Sequence, residues 1–211
     1  MIVRNETERV RRYYEKTAHR YDEYVGYFEK LLVGDGRQWV CDQARGEVLE
    51  IAISTGRNLP YYPSDVRLTG IDLTPSMLEL ARQSANTLGR EVDLRLGDAQ
   101  SLDLPDSRFD TVVATLALSS IPDVRRTVAE ARRVLRPGGR LLLLEHVRSP
   151  LLPVRLLQRL FDPLFVRCYG DHLLREPLDH LEAEGFVIDC VERSKVGLIE
   201  RLVARTPAET L

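Results

Sequence analysis

The chain has 211 residues, enough for one domain with a sizeable core. Apolar residues make up 44% and charged residues 29%, an ordinary globular balance, and a net charge of −2 argues against a nucleic-acid binder, which would carry a basic surplus or a clustered basic face. No stretch reaches the ~20 uninterrupted apolar residues of a membrane span. Residues 1–6 lack the apolar core of a secretory signal. Cys41, Cys168 and Cys190 form no close pair and no metal spacing, which suits a reducing compartment, and a cytoplasmic setting is expected. The four histidines show no ligand pattern, so no metal is expected.

Residues 5–32 read as a helix, with Val10, Tyr13, Tyr14, Ala18, Tyr21 and Tyr24 recurring at about 3.6-residue spacing. Gly34-Asp35-Gly36 interrupts, and 38–44 is a second helical piece. Strands and helices then alternate. Residues 48–53 and 66–72 are strands. Thr74-Pro75 reads as a helix start, a Thr cap followed by Pro at the first helical position. Met77, Leu78, Ala81, Ala85 and Leu88 give that helix its inner face, and Gly89 stops it. Residues 91–96 form a third strand. The continuous apolar run 109–116 marks a central parallel strand. Asp123 caps a helix with Val124, Val128, Ala131 and Leu135 inward, ended by Pro137-Gly138-Gly139. Residues 140–147, with four consecutive leucines, are another central strand.

Residues 148–170 are apolar and less regular. Leu156, Leu157, Leu160, Leu164 and Phe165, with Arg155, Arg159 and Arg167 between them, suggest an amphipathic helix broken at Pro163. This segment reads either as a cap packed on the core and partly enclosing an acceptor site, the favoured reading, or as a lid touching lipid through 151–165. Residues 176–184 form a short helix, and 186–193 and 198–205 are neighbouring antiparallel strands. The alternation predicts an α/β fold. Its sheet is Rossmann-like, doubly wound and seven-stranded, mostly parallel with an antiparallel last strand.

The turn after the first strand carries the small residues Ala52, Ser54 and Gly56, as close approach of a ligand to the backbone requires. A G-x-G-x-x-G pattern is absent, and no Gly-Lys-Ser/Thr follows, so neither a dinucleotide nor ATP is supported. Asp72 ends the second strand 22 positions after Glu50, where a carboxylate can accept both hydroxyls of a ribose. Asp98, in Gly97-Asp98-Ala99 after the third strand, can accept from an exocyclic amine while a neighbouring N–H meets a ring nitrogen. His146, at the end of the 140–147 strand, is the best candidate general base, with His19 and His172 weaker. Thr115, Leu116, Ser119 and Ser120 follow the fourth strand and face an acceptor pocket.

The set Val48-Leu49-Glu50-Ile51-Ala52, Thr55-Gly56-Arg57-Asn58-Leu59, Gly70-Ile71-Asp72-Leu73-Thr74-Pro75-Ser76-Met77-Leu78, Gly97-Asp98-Ala99, Phe109-Asp110 and Leu135-Arg136-Pro137-Gly138-Gly139 resembles the class I S-adenosylmethionine-dependent methyltransferases over roughly residues 13–205. The opening Tyr14-Glu15-Lys16-Thr17-Ala18-His19-Arg20-Tyr21-Asp22 resembles the ubiquinone/menaquinone-type and bacterial phosphatidylethanolamine N-methyltransferase-type subfamilies. The resemblance implies S-adenosyl-L-methionine as cofactor, with S-adenosyl-L-homocysteine as product. It implies methyl transfer to an N, O or S atom of a small, mostly apolar acceptor. It also implies one domain: residues 1–45 as a helical cap over the cofactor, and 46–211 as the core, with 148–175 as an acceptor-side lid. The implied cofactor residues are Tyr14, Tyr21, Glu50, Ala52, Ile53, Ser54, Gly56, Asn58, Asp72, Leu73, Met77, Asp98, Ala99, Thr115 and Leu116. The family usually has glycine at position 54 and often at 52. A serine at 54 would strain a backbone of positive φ. A phospholipid head-group N-methyltransferase, a non-catalytic cofactor-binding protein and a methyltransferase-fold cyclase stay open as alternatives.

Overall fold

The structure, a computed structural model, describes residues 2–208, with side chains from Glu6 onward. The expected cap and core boundaries at residue 1 and residues 209–211 lie outside the described residues. Seven strands form a single sheet: β1 (Glu47–Ile51), β2 (Arg67–Asp72), β3 (Val92–Leu96), β4 (Phe109–Thr115), β5 (Leu135–His146), β6 (Val187–Ser194) and β7 (Ile199–Arg205). Their order is β3-β2-β1-β4-β5-β7-β6. β1 to β5 pair in parallel, and β7 runs antiparallel to both neighbours, as the alternation predicted.

Period-two alternation divides the core between the two faces of the sheet. Leu49, Ile51, Val112, Ala114, Leu141 and Leu143 pack on one side, with Val128, Ala131 and Leu181. Val48, Val113, Leu142 and Leu144 pack on the other, with Val40, Leu78 and Ala81. The four consecutive leucines therefore serve both layers, and burying each contributes roughly 1.5–3 kcal/mol.

Helix α1 (Ile2–Phe28) runs into a π-helical turn at Glu29–Val33, followed by α2 (Gly36–Cys41). Val10 and Ala18 are buried, but Tyr24 stands outward. Helix α3 (Pro75–Leu88) ends at Gly89, whose φ is 62°. Leu88, expected on its inner face, is exposed. Thr74 stands at the N-cap position yet caps nothing, because its hydroxyl donates to Asp72 at 2.8 Å. Asp123 does cap α4 (Val124–Val134), accepting from the Arg126 N–H at 3.0 Å.

Pro137-Gly138-Gly139 does not end that helix. α4 stops at Val134, and Leu135, expected on the helix, already belongs to β5. The Pro-Gly-Gly segment falls where the register against β4 slips between Phe109 and Thr111. An irregularity is the position in a sheet that tolerates a residue without an N–H.

The segment after β5 differs most from expectation. It forms a continuous helix, α5 (Leu152–Tyr169), that passes through Pro163 instead of breaking there. Proline at 163 removes the bond to the Arg159 carbonyl, and Arg159 lies on the exposed side, where water can serve that group. Nor is α5 a cap packed by its leucines, for Leu156, Leu157, Leu160 and Leu164 are all exposed. A short α6 (Pro177–Ala183) leads into the final hairpin. Among the described residues, no helix is long and apolar enough to cross a membrane.

Candidate active site

The strand order reverses between β1 and β4, and the crevice at such a switch point, outside the carboxyl ends of the strands, is where open α/β sheets bind ligands. β1 ends at Ile51, two residues earlier than expected, because Ala52 turns to a φ of 54°. Ser54 repeats that value and Gly56 follows at 82°. The resulting curl directs the Ser54 N–H at Asp72 Oδ2, 2.9 Å away. Gly56 serves packing. A Cβ there would meet Leu59 Cδ1 at 2.7 Å.

Asp72 Oδ1 accepts from the Thr74 N–H at 2.9 Å and from the Thr74 hydroxyl. Burial raises the Asp72 pKa, against these hydrogen bonds. Three protein donors already use most of the roughly four lone-pair directions of a carboxylate. A two-hydroxyl grip would have to share those oxygens.

Glu50 is 2% exposed. It accepts from Asn58 Nδ2 and from the Tyr62 hydroxyl, each at 2.9 Å, and burial pushes its pKa up to about 7. Asn58 also donates to Thr115 Oγ1 and accepts from Arg37 Nη1 at 2.7 Å, so its amide is fully used inside the protein.

One cleft collects the ends of β1 to β4 beneath α1. Of the residues expected at the cofactor, Tyr14, Tyr21, Glu50, Ala52, Ile53, Ser54, Asp72, Leu73, Met77, Asp98, Ala99, Thr115 and Leu116 line it. Gly56 and Asn58 do not. Asn58 stands behind the wall and holds Glu50, Thr115 and Arg37 in place. Burial pushes Tyr21 up to about 12, with the Ser54 contact acting against it, and lifts Tyr14 well above the ordinary phenol range.

Sequence reasoning missed Arg37 and Gln100 on the same wall. Arg37 Nε donates to Glu29 Oε1 at 3.0 Å, and Arg57 holds Glu29 Oε2 through bonds of 3.0 and 2.6 Å. Burial alone would raise Glu29, but the two guanidiniums hold its carboxyl below the usual range. The available signal was a charged residue inside a short apolar helical piece. Gln100 donates to both oxygens of Asp98 and to Thr7, and accepts from the Asp123 N–H. It therefore ties the expected base-recognising carboxylate to α1 and α4.

His146 is not on the cleft wall. Its Nε2 lies 3.1 Å from Asp171 Oδ1. Burial would lower the imidazole pKa, but Asp171 outweighs it and the net shift is upward. Asp171 is held low despite burial, by His146 and Ser119. Glu145, one residue earlier, points to the opposite face and accepts from the Ala117 and Leu118 N–H groups at 2.9 and 3.0 Å. Those bonds fix the turn at Leu116, whose φ is 53°. Burial pushes Glu145 up to about 7. His172 has its pKa lowered by burial and by Arg175, and His19 lies on the exposed side of α1. Among the described residues, no group of three His, Cys, Asp or Glu side chains is placed to hold a metal ion.

Residues 49–143 match the family described as "Methyltransferase domain". The chain is 44% identical over 103 residues to the phosphatidylethanolamine N-methyltransferase of Cereibacter sphaeroides, covering 48% of this chain and 51% of that one. It is 40% identical over 101 residues to the demethylmenaquinone methyltransferase of Deinococcus radiodurans, covering 46% and 42%. The chain thus spans about half the length of the curated relatives it matches. Among solved structures, a SAM-dependent methyltransferase from Methanosarcina mazei superposes with a TM-score of 0.64 at 25% identity, over 77% of this chain and 93% of that one. The cleft residues from Glu50 to Leu116 fall inside the matched stretch.

Proposed function

We propose that the chain carries a methyltransferase domain of the class I, S-adenosylmethionine-dependent kind, and that it moves a methyl group from S-adenosyl-L-methionine to a nucleophilic atom of a small, mostly apolar acceptor. The observation that carries the reading is Asp72. It sits at the end of β2, beside the switch point, and its carboxylate is oriented by the Ser54 N–H and the Thr74 N–H and hydroxyl. Asp72 would hold the ribose, Asp98 and Ala99 the adenine, and the Ala52–Ser54 backbone with Tyr14 and Tyr21 the methionine end. Bound there, the cofactor supplies a sulfonium methyl group already activated toward in-line displacement.

The protein's part is alignment and exclusion of water. The wall beyond the strand ends, with Leu116, Ala117, Ile121 and Pro122, is mostly apolar and suits an apolar acceptor. The relatives named for phosphatidylethanolamine and demethylmenaquinone support the same reading, since both molecules join a polar head to a long apolar tail. The His146–Asp171 pair stands off the cleft wall, so a proton from the nucleophile would reach it only through an intervening group. With Asp171 accepting from Nε2–H, the basic lone pair is on Nδ1.

Calorimetric titration with S-adenosyl-L-methionine should show binding, and Asp72→Asn should weaken it about thirtyfold, or roughly 2 kcal/mol. Turnover is read by mass with labelled cofactor over amines, thiols, phenols, quinones and phospholipids. A phosphatidylethanolamine head-group N-methyltransferase is the second reading, favoured by the more similar of the two relatives. Methyl incorporation into phosphatidylethanolamine vesicles distinguishes it. Unchanged affinity in Asp72→Asn would remove the basis for either.

A further inference from the structure

Helix α5 is built inside out. The side chains that anchor it inward by hydrogen bonds are polar, with Val154, Phe165 and Val166 half-buried beside them. Gln158, 8% exposed, accepts from the Ser149 N–H at 2.8 Å and donates to the Val147 and Leu173 carbonyls at 2.9 and 2.8 Å. Asp162 accepts from the Leu173 N–H at 2.8 Å. The side chains it turns outward are Leu152, Leu156, Leu157, Leu160, Phe161 and Leu164, between 46% and 70% exposed. Six large apolar side chains on one outer face are more than scattered surface residues need explain. They lie along a helix of 18 residues, about 27 Å long.

The charged side chains that α5 itself turns outward have one sign. Arg159 and Arg167 flank the leucines on the exposed side. At the C-terminal end, Arg167 shares a groove with Arg9, Arg12 and Lys16 of α1, of which Arg9 and Arg12 also pair with Glu6 and Glu8. The one acid of α5, Asp162, is turned inward and engaged. This local basic rim stands out in a chain whose net charge is −2. Apolar anchors ringed by cations complement an anionic lipid surface. A second copy of the same face would instead set these arginines against their own images.

We propose that α5 docks the protein on anionic membrane surfaces, lying in the interface with its leucines among the acyl chains. The docking goes beyond the methyl-transfer reading and does not require it. One consequence deepens that reading and rests on it. α5 runs through Gly170 into Asp171, the partner of His146. Tyr169 stacks edge-on against Tyr13, which stacks on Tyr14 of the cleft wall. An acceptor with an apolar tail would therefore reach the cleft from the bilayer side.

The test is flotation of the full chain with vesicles of phosphatidylcholine alone or of phosphatidylcholine mixed with phosphatidylglycerol. The protein should float with the mixed vesicles, less so as salt rises. Leu160→Glu/Leu164→Glu should weaken binding at least about tenfold, and Arg159→Gln/Arg167→Gln by about fivefold per arginine. All three proteins should bind S-adenosyl-L-methionine equally in vesicle-free buffer. That titration reports on the cleft alone, so loss of cofactor binding there would count against the methyl-transfer reading and leave the docking intact. The proposal is overturned if the parent protein stays with the unbound fraction. It is overturned if Leu160→Glu/Leu164→Glu floats equally well. It is also overturned if light scattering shows a dimer that the same substitutions dissolve, because the face then belongs to a second copy.

Discussion

At position 54 a serine occupies backbone that crowds any Cβ against its own carbonyl, with a φ of 54°. Its hydroxyl is turned to Met77 Sδ at 3.5 Å, a weak bond. Ser54→Gly should therefore stabilise the chain by up to about 1 kcal/mol. It should also tighten binding of S-adenosyl-L-methionine, because the loop can then approach the ligand without a side chain in between. Thermal melting and calorimetric titration read the two effects separately, and equal or weaker affinity would contradict the second. Glu145 makes a pH-dependent prediction. Burial places its folded pKa near 7, above the ordinary value of 4.5. Its contribution to stability is then complete below the unfolded pKa and is lost as pH rises through 7. Glu145→Gln keeps the oxygen that accepts from Ala117 and Leu118. The variant should melt above the parent protein at about pH 8, by at most roughly 3 kcal/mol, and the gap should close near pH 5. The sequence made the site residues visible as types at strand ends. It could not show that Ser54 lies in the left-handed region. The period of a strand puts Glu145 and His146 on opposite faces, but it could not show that Glu145 meets the turn at Leu116 and His146 meets Asp171.

At the scale of elements, α5 shows how a period can be legible while its direction is not. The spacing of Leu156, Leu157, Leu160 and Leu164 correctly indicates one apolar stripe, but periodicity carries no information about which side meets the core. What turns the stripe outward is the hydrogen bonding of Gln158 and Asp162 to loop backbone on either side of the helix. A lone Gln or Asp within an apolar pattern reads as solvated. Helix α5 is thus attached by polar bonds to backbone groups of the flanking loops. Gln158→Leu should leave the Ser149 N–H and two carbonyls unsatisfied, at about 1–3 kcal/mol for each buried group. The expected result is a destabilised α5 with faster amide exchange over 152–169 while the β-sheet amides stay protected. Unchanged exchange in α5 would show that its half-buried Val154, Phe165 and Val166, not Gln158, hold it. The same limit of pattern reading applies to Pro137-Gly138-Gly139. Those residues announce a turn, and only the register of β5 against β4 shows that the irregularity lies inside a strand.

At the scale of the whole molecule, the mostly parallel sheet followed from alternation, whereas neither its strand order nor the attachment of the N-terminal helix did, the latter because it runs through scattered polar pairs. Asp22 accepts from Thr55 at 2.8 Å, Glu15 from Ser76 at 3.0 Å, and Thr7 from Gln100 at 3.1 Å. The strongest tie is Glu29, at the π-helical turn, between Arg37 and Arg57. Residues 2–33 should then open as a unit over the cleft. Its folded pKa lies below the ordinary carboxylate value, so the stabilisation by Glu29 is present above that ordinary value and is lost as pH falls through the folded one. Glu29→Ala imposes the acid condition at neutral pH. It leaves the Arg37 side chain, 10% exposed, with Asn58 as its remaining acceptor, at a cost of about 3 kcal/mol, while Arg57 can still reach Asp22 at 3.3 Å. Limited proteolysis of Glu29→Ala at neutral pH should cut within residues 2–33 and spare the sheet, and the parent protein should show the same pattern only in acid. Saturating S-adenosyl-L-methionine should slow the cut in both, since a ligand that binds only the closed form pulls the equilibrium toward it. Cleavage of core and N-terminal helix at one rate would mean that the helix melts only with the sheet, and Tyr14 and Tyr21 would then be fixed parts of the cleft and not of a movable cover.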